Sequence, residues 1–284
     1  MYNFGEHAKE TKKRVGKKTN VLKCLAGTTW GKSKEVLLDT YKAIGRSIIN
    51  YAAPIWTPQL SATNWTSLDA AQNAALRVAT GCTAMSATTH LNQESKILPV
   101  KEHNSMLTEQ YLLSMHRPHH PNHHVLSDPT PPRDKRRSIL DLRSNLAEGI
   151  SDSISEPEYK MFLKQIHSQA VNSALQGYPS NRVLHRRPPD VNDREERELP
   201  RHTRCILAQL RSGHSSFLNE YLHRINKSDS DKCPKCLTDV HSSIHLFNCP
   251  ADPTALTAED LWLNPRAAAQ FLGLPLSHDE PPDG

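Results

Sequence analysis

The sequence predicts a mostly α-helical chain: helices at the front, a proline-broken middle, then a helical hairpin followed by a small zinc-knuckle-like module. Three observations carry that expectation. Apolar residues recur at three- and four-residue steps over 33–52, 61–80, 100–115 and 199–225, the spacing of one buried stripe on a helix. Residues 116–137 hold Pro118, Pro121, Pro129, Pro131 and Pro132, a density that prevents a helix and favours an extended linker. Three of the six cysteines, Cys233, Cys236 and Cys249, crowd into one short stretch with His241 and His245.

Residues 1–34 form a basic N-terminal arm, with Lys9, Lys12, Lys13, Arg14, Lys17, Lys18, Lys23, Lys32 and Lys34 against Glu6 and Glu10. A solvated arm is the plainer reading and a phosphate-contacting arm the sharper one. A helical segment occupies 35–115. Ser33 is placed to cap its first helix, whose stripe is Leu37, Leu38, Tyr41, Ile44 and Ile48, and Pro54 should end it. Trp65, Leu68, Ala71, Ala75, Leu76 and Ala79 share the face of a second helix. Gly81 follows its end and Arg77 sits in its last turn, where a cation is favoured. Met106, Leu107, Gln110 and Leu113 mark a third.

The linker over 116–137 also carries His116, His119, His120, His123 and His124, with nothing to fix their geometry. A weakly patterned, charged region runs over 138–198. Leu199–Pro200 then opens a helical hairpin over 199–227, turning at Ser212–Gly213–His214. Leu207 and Leu210 belong to its inner face, which leaves Arg201, Arg204, Arg211, His214 and Arg224 for an outer surface. That surface is either solvated or, as nucleic-acid-binding residues, in contact with a strand.

Residues 228–253 are the zinc-binding module. Cys233 and Cys236 are spaced so that one tight turn aims both thiolates at one ion. His245 and Cys249 lie four apart, a helical-turn spacing that supplies two more ligands of a tetrahedron. Three thiolates and one imidazole suit Zn²⁺ and leave no open position for a catalytic water, so the site is structural. His241 competes with Cys249 as fourth ligand, and Cys249 is preferred. A C-terminal tail with a short helix completes the chain over 254–284.

Composition sets bounds on the rest. The 284 residues are 37% apolar, below the roughly 45–50% of ordinary globular chains, so the core is divided between segments. Net charge is +5 and pI about 8.8, which suits RNA or DNA as partner without demanding it. The cysteine spacing is that of a metal site rather than a disulfide framework. No secretory signal or membrane span is legible, so a nuclear or cytoplasmic location is expected, with no membrane or small-molecule partner.

Several of these stretches together resemble the C-terminal region of jockey-like non-LTR retrotransposon reverse transcriptases. Leu199–Arg201, Leu207–Ser215, Leu218–Leu222, Cys233–Cys236, His245–Pro250 and Leu261–Ala267 carry the later half of the resemblance. Leu22–Gly27 with Trp30–Gly31, Tyr51–Trp56 and Gln72–Arg77 with Gly81 carry the earlier half, similar to the thumb-like helices after the polymerase palm. The resemblance implies RNA-directed DNA synthesis for full-length relatives, which hold two Mg²⁺ ions on paired aspartates. No Asp–Asp pair occurs in this chain. The expectation is therefore a non-enzymatic, catalytically incomplete fragment with no catalytic residues. The alternative is a stand-alone, host-retained zinc module that binds nucleic acid or protein.

Overall fold

The structure, a computed structural model, describes residues 4–27, 31–124, 154–189 and 194–277. It is mostly helical. Among the described residues extended pairing is limited to an isolated antiparallel bridge between Lys232 and Val240. No helix there is long and apolar enough to cross a membrane.

The basic arm is a helix, α1 (Phe4–Leu25). Ala8, Thr11, Val15, Thr19 and Leu22 form a buried stripe at three- and four-residue steps, while its lysines and Arg14 are exposed. So thin a stripe is hidden in a composition dominated by lysine.

Helix α2 (Lys34–Tyr41) starts at Ser33, whose Oγ accepts from the Val36 N–H at 3.4 Å. A π-helical turn, Lys42–Arg46, leads into α3 (Ser47–Asn50). The chain then turns at Ala52, φ +50°, and Pro54 falls in the first turn of α4 (Ala53–Trp56). Proline is well suited there, because the first turn's N–H groups have no intrahelical acceptor. The left-handed Gly81, φ +79°, follows the end of α5 (Ala62–Thr80).

Helix α6 (Thr88–Ser95) has no apolar period to betray it; it buries His90, Asn92, Gln93 and Glu94 beside Leu91. It is followed by α7 (Val100–Met115). Of the expected linker, residues 116–123 run through turns and 125–137 lie outside the described residues. Ser155 and Glu158 make a reciprocal capping box at the start of α8 (Glu156–Val171). The remaining helices are α9 (Arg194–Glu198), α10 (Arg201–Arg211), α11 (Asn219–Arg224), α12 (Asp260–Leu263) and α13 (Pro265–Phe271).

These elements gather into two compact units, each built from separated stretches rather than consecutive segments. Unit one comprises Met1–Lys18, Lys42–Gln72 and Leu98–Tyr178. Its core includes Leu98, Met106, Leu113, Ile154 and Ile166, with α7 against α8. The Leu98 carbonyl accepts from both Arg46 and Gln72 at 2.9 Å, so two buried polar side chains find a partner where the backbone leaves one free.

Unit two comprises Thr19–Tyr41, Asn73–Ile97 and Pro179–Gly284. Its core joins Leu199, Leu207 and Leu210 to Leu218, Leu246, Phe247, Leu261 and Trp262. Leu246 and Phe247 directly follow His245 and precede Cys249, so the residues among the metal ligands are part of this core. Two of the few apolar side chains of the zinc-binding module thus pack on the hairpin and the tail.

Candidate metal centre

Cys233 opens a turn in which the Leu237 N–H donates to the Cys233 carbonyl at 2.9 Å, with Leu237 left-handed at φ +62°. The Cys233 N–H donates to the Asp239 carbonyl and the His241 N–H to that of Asp231, each at 2.8 Å. This narrow knuckle brings Cys233 and Cys236 to one side. A 3₁₀ turn, His245–Phe247, supplies the other side, with Asn248 leaving helical geometry at φ −123°. The expected α-helical turn between His245 and Cys249 is thus a 3₁₀ turn, which brings both ligands inward all the same.

The Sγ atoms of Cys233 and Cys249 are 3.8 Å apart, and Cys236 Sγ is 3.4 Å from His245 Nε2. All four ligand atoms lie within 4.8 Å of one another. A tetrahedron with metal–sulfur bonds of about 2.3 Å has sulfur–sulfur edges of about 3.8 Å. The donor set and its spacing therefore fit a four-coordinate metal ion and are compatible with Zn²⁺.

Electrostatics agree with that fit. The Asp239 N–H, followed by the hydroxyl and N–H of Thr238, holds the Cys236 thiol down to about 6. Hydrogen bonds of this kind favour the thiolate that a metal requires. Burial pushes the Cys249 thiol up, and the neighbouring Cys233 adds to it. A divalent cation reverses such a penalty, since it is the largest charge in its surroundings.

His241 stands outside this group. Its Nδ1 accepts from the Asn219 N–H at 3.2 Å, and its carbonyl accepts from the Glu220 N–H at 3.4 Å. Those amides belong to the first turn of α11, which has no side-chain cap of its own. His241 thus satisfies two N–H groups that a helix start leaves without partners. Ser243 adds a second tie, its Oγ donating to the Leu210 carbonyl at 2.6 Å. Neither role has a signature in the sequence, because each depends on which helix terminus the knuckle meets.

The five residues expected on a strand-contacting surface separate into two sets. Arg201, Arg204 and Arg211 are buried, at 8%, 4% and 1% exposure, which corrects their placement on an outer face. Arg201 donates to the carbonyls of Val78 and Ala79 at 2.7 and 3.0 Å, in the last turn of α5, where a cation complements the helix dipole. Arg204 grips Glu35 at 2.6 and 2.8 Å. Arg211 meets Glu94 at 3.0 Å, Glu196 at 2.8 Å and the Leu261 carbonyl through Nε at 2.9 Å. Lys34 joins the same buried cluster, 2.9 Å from Glu94. Charges on a helix read as solvent-facing because burying one is expensive, and partners distant in sequence remove that cost here. His214 is half-buried and Arg224 is exposed.

Comparison with protein-family models, curated proteins and solved structures finds no match.

The three remaining cysteines, Cys24, Cys82 and Cys205, are free thiols away from the centre. Burial pushes Cys82 up to about 12 and raises Cys205 as well, so neither is a ready nucleophile.

Proposed function

We propose that this chain binds single-stranded nucleic acid without catalysing synthesis, and that a structural Zn²⁺ organises its C-terminal residues. We propose further that it is a counterpart of the region after the polymerase palm in jockey-like non-LTR retrotransposon proteins. The observation that carries the partner class is helix α1. Lys9, Lys12, Lys13, Arg14, Lys17, Lys18 and Lys23 are all exposed on it, with Glu6 and Glu10 as its only carboxylates, above a buried apolar stripe.

A rigid helix presenting cations on several sides suits the phosphates of a flexible strand, which gains affinity by releasing condensed counterions. Lys9 is paired with Glu6 at 2.6 Å, but both are well exposed. Such pairs contribute about 0–1 kcal/mol, so a phosphate displaces the carboxylate readily. When bound, Zn²⁺ supplies a cross-link between the knuckle and the 3₁₀ turn. Cys233, Cys236, His245 and Cys249 would hold it and fill its coordination shell, consistent with a structural role.

Fluorescence anisotropy with a labelled single-stranded RNA across a salt series tests the reading. Affinity should fall steeply with salt, by about 0.7 log units per log unit of salt for each phosphate neutralised. Replacing Lys9, Lys13 and Lys17 by Gln should lessen that slope by about 2. A chain that binds no RNA, or whose binding ignores salt, overturns the partner class. Template-dependent extension of a primer with Mg²⁺ and nucleotides would overturn the non-catalytic part.

A further inference from the structure

A second feature of unit two points to a ligand more specifically than a basic helix does. A cleft of about 770 Å³ opens between the start of α6, the loop from Pro179 to His185 and the turn after α10. Its floor is held by buried polar bonds. Asn181 donates to the Arg211 carbonyl at 3.0 Å, and its Oδ1 accepts from the Val183 and Leu184 N–H groups at 2.8 and 2.9 Å. The Ser86 hydroxyl donates to that of Ser212 at 3.1 Å. Gly213 sits left-handed at φ +68°, and a Cβ there would come within 3.1 Å of Val183. These bonds hold the cleft's floor in place, which limits the entropy that binding must overcome there.

Its lining carries more positive than negative charge. Arg182 and Arg224 both line it and both are exposed, against the single carboxylate of Glu220. Glu220 lies 3.9 Å from Arg224, both half-open to solvent, so it draws little on that cation. Met85 and Ile244 give apolar surface beside these cations, at 57% and 38% exposure. His214 adds a flat ring to the lining. Cations for a phosphate, next to an apolar wall and a flat ring for a heterocycle, are the two halves of a nucleotide's chemistry.

We infer that this cleft binds a nucleotide unit, with Arg182 and Arg224 on the phosphate and Met85, His214 and Ile244 against the base. The volume falls within the roughly 300–1,000 Å³ of small-molecule sites, enough for one unit and not for a duplex. The nucleotide can come from a free nucleoside monophosphate or from within a single strand. The strand source rests on the nucleic-acid reading given above.

Zinc-loaded full-length chain is titrated with uridine monophosphate and with a short 4-thiouridine-labelled RNA. Both ligands are then tested against Arg182→Gln/Arg224→Gln, with zinc content and helicity as folding controls. The double variant should bind about tenfold more weakly, the loss expected when charge-assisted hydrogen bonds go. For the strand, the salt slope should lessen by about 0.7, one phosphate's worth. Photocrosslinks should map to Met85, to the loop from Pro179 to His185 or to His214. Binding of the monophosphate alone, lost in the double variant, supports a free-nucleotide cleft while the strand reading fails. RNA binding that is lost only on replacing the α1 lysines, with the double variant unchanged and crosslinks confined to α1, overturns the cleft and leaves the strand reading intact. If neither ligand binds, both fall.

Discussion

Arg211 holds the Glu196 carboxylate through two parallel hydrogen bonds of 2.8 and 3.2 Å, where the two side chains are 1% and 4% exposed. A second carboxylate, Glu94, and the ammonium of Lys34 complete the cluster, so two cations face two anions in a space closed to water. Burying this set is not itself a large source of stability. Removing one member is another matter. Arg211→Met should destabilise unit two by about 3–5 kcal/mol, because it leaves Glu94 and Glu196 facing Lys34 alone. Urea denaturation followed by circular dichroism measures the loss. If the variant keeps its stability and instead binds RNA poorly, Arg211 faces a strand and the buried cluster is wrong.

The metal centre predicts two separable classes of variant. Cys233→Ser, Cys236→Ser, His245→Ala and Cys249→Ser should each lose most of the bound zinc, read by native mass spectrometry. His241→Ala should keep its zinc and destabilise α11 by about 0.5–2 kcal/mol, the range for a lost helix cap. Zinc loss from His241→Ala equal to that from Cys249→Ser would mean the fourth ligand is misassigned.

Chelation should be felt beyond the knuckle. Leu246 and Phe247 share a core with Leu207, Leu210 and Trp262, so hydrogen exchange should quicken in α10 and α12 as well as over 232–250 when zinc is removed. At free zinc a thousandfold above its dissociation constant, the metal stabilises the fold by about 4 kcal/mol. Acceleration confined to 232–250 would show that the module folds apart from the core.

Acid should act on both units through buried histidines, and on unit two through carboxyls as well. In unit one, burial, with the Arg46 and His167 charges nearby, pushes His103 from 6.5 down to about 3. Its imidazole is neutral in the folded chain, so the stability it contributes is present above 6.5 and is lost as pH falls toward 3. In unit two, burial alone would raise Glu35, yet the Arg204 hydrogen bonds and charge hold it down from 4.5 to about 2. Glu94 and Glu196 are lowered by Lys34 and Arg211 against the opposing effect of burial. These carboxyls stabilise the fold above 4.5 and cease to do so as pH falls through their folded values. Burial lowers His90 in unit two as well, so thermal melts should show stability falling below pH 6.5 in both units, with a further loss toward 2 as Glu35 is protonated. His103→Gln should lessen the first of these losses. An acid profile unchanged by His103→Gln would contradict its share.

Gly81 offers a backbone test. Its φ is +79°, and a Cβ would stand 2.3 Å from Cys205 Sγ and 2.6 Å from Cys205 Cβ. Gly81→Ala should cost at least about 1–3 kcal/mol from the left-handed conformation, with the clash added. Cys205→Ala in the same chain should recover only part of it, because one of the two close atoms remains. Calorimetry of both variants decides, and a neutral Gly81→Ala would refute the close approach.

What the sequence determined alone is what local spacing controls. Ser33 and the stripe from Leu37 to Tyr41 mark a helix start, Gly81 marks a helix end, and the four ligands span only residues 233–249. A C-x2-C turn and a four-residue step set directions within a few bonds of each ligand, so little else is needed to bring them together. Tertiary structure decided the rest, and the arginines show why. Arg204 meets a carboxylate 169 positions away and Arg211 one 117 away. A charge on a helix is exposed or buried according to whether a partner meets it, and no periodicity within α10 carries that information. The same holds for α6, whose buried face is largely polar, and for His241, whose spacing suits a ligand but whose ring caps α11. Where burial depends on apolar side chains, the sequence displays it; where it depends on polar groups satisfying one another, only the assembled chain does.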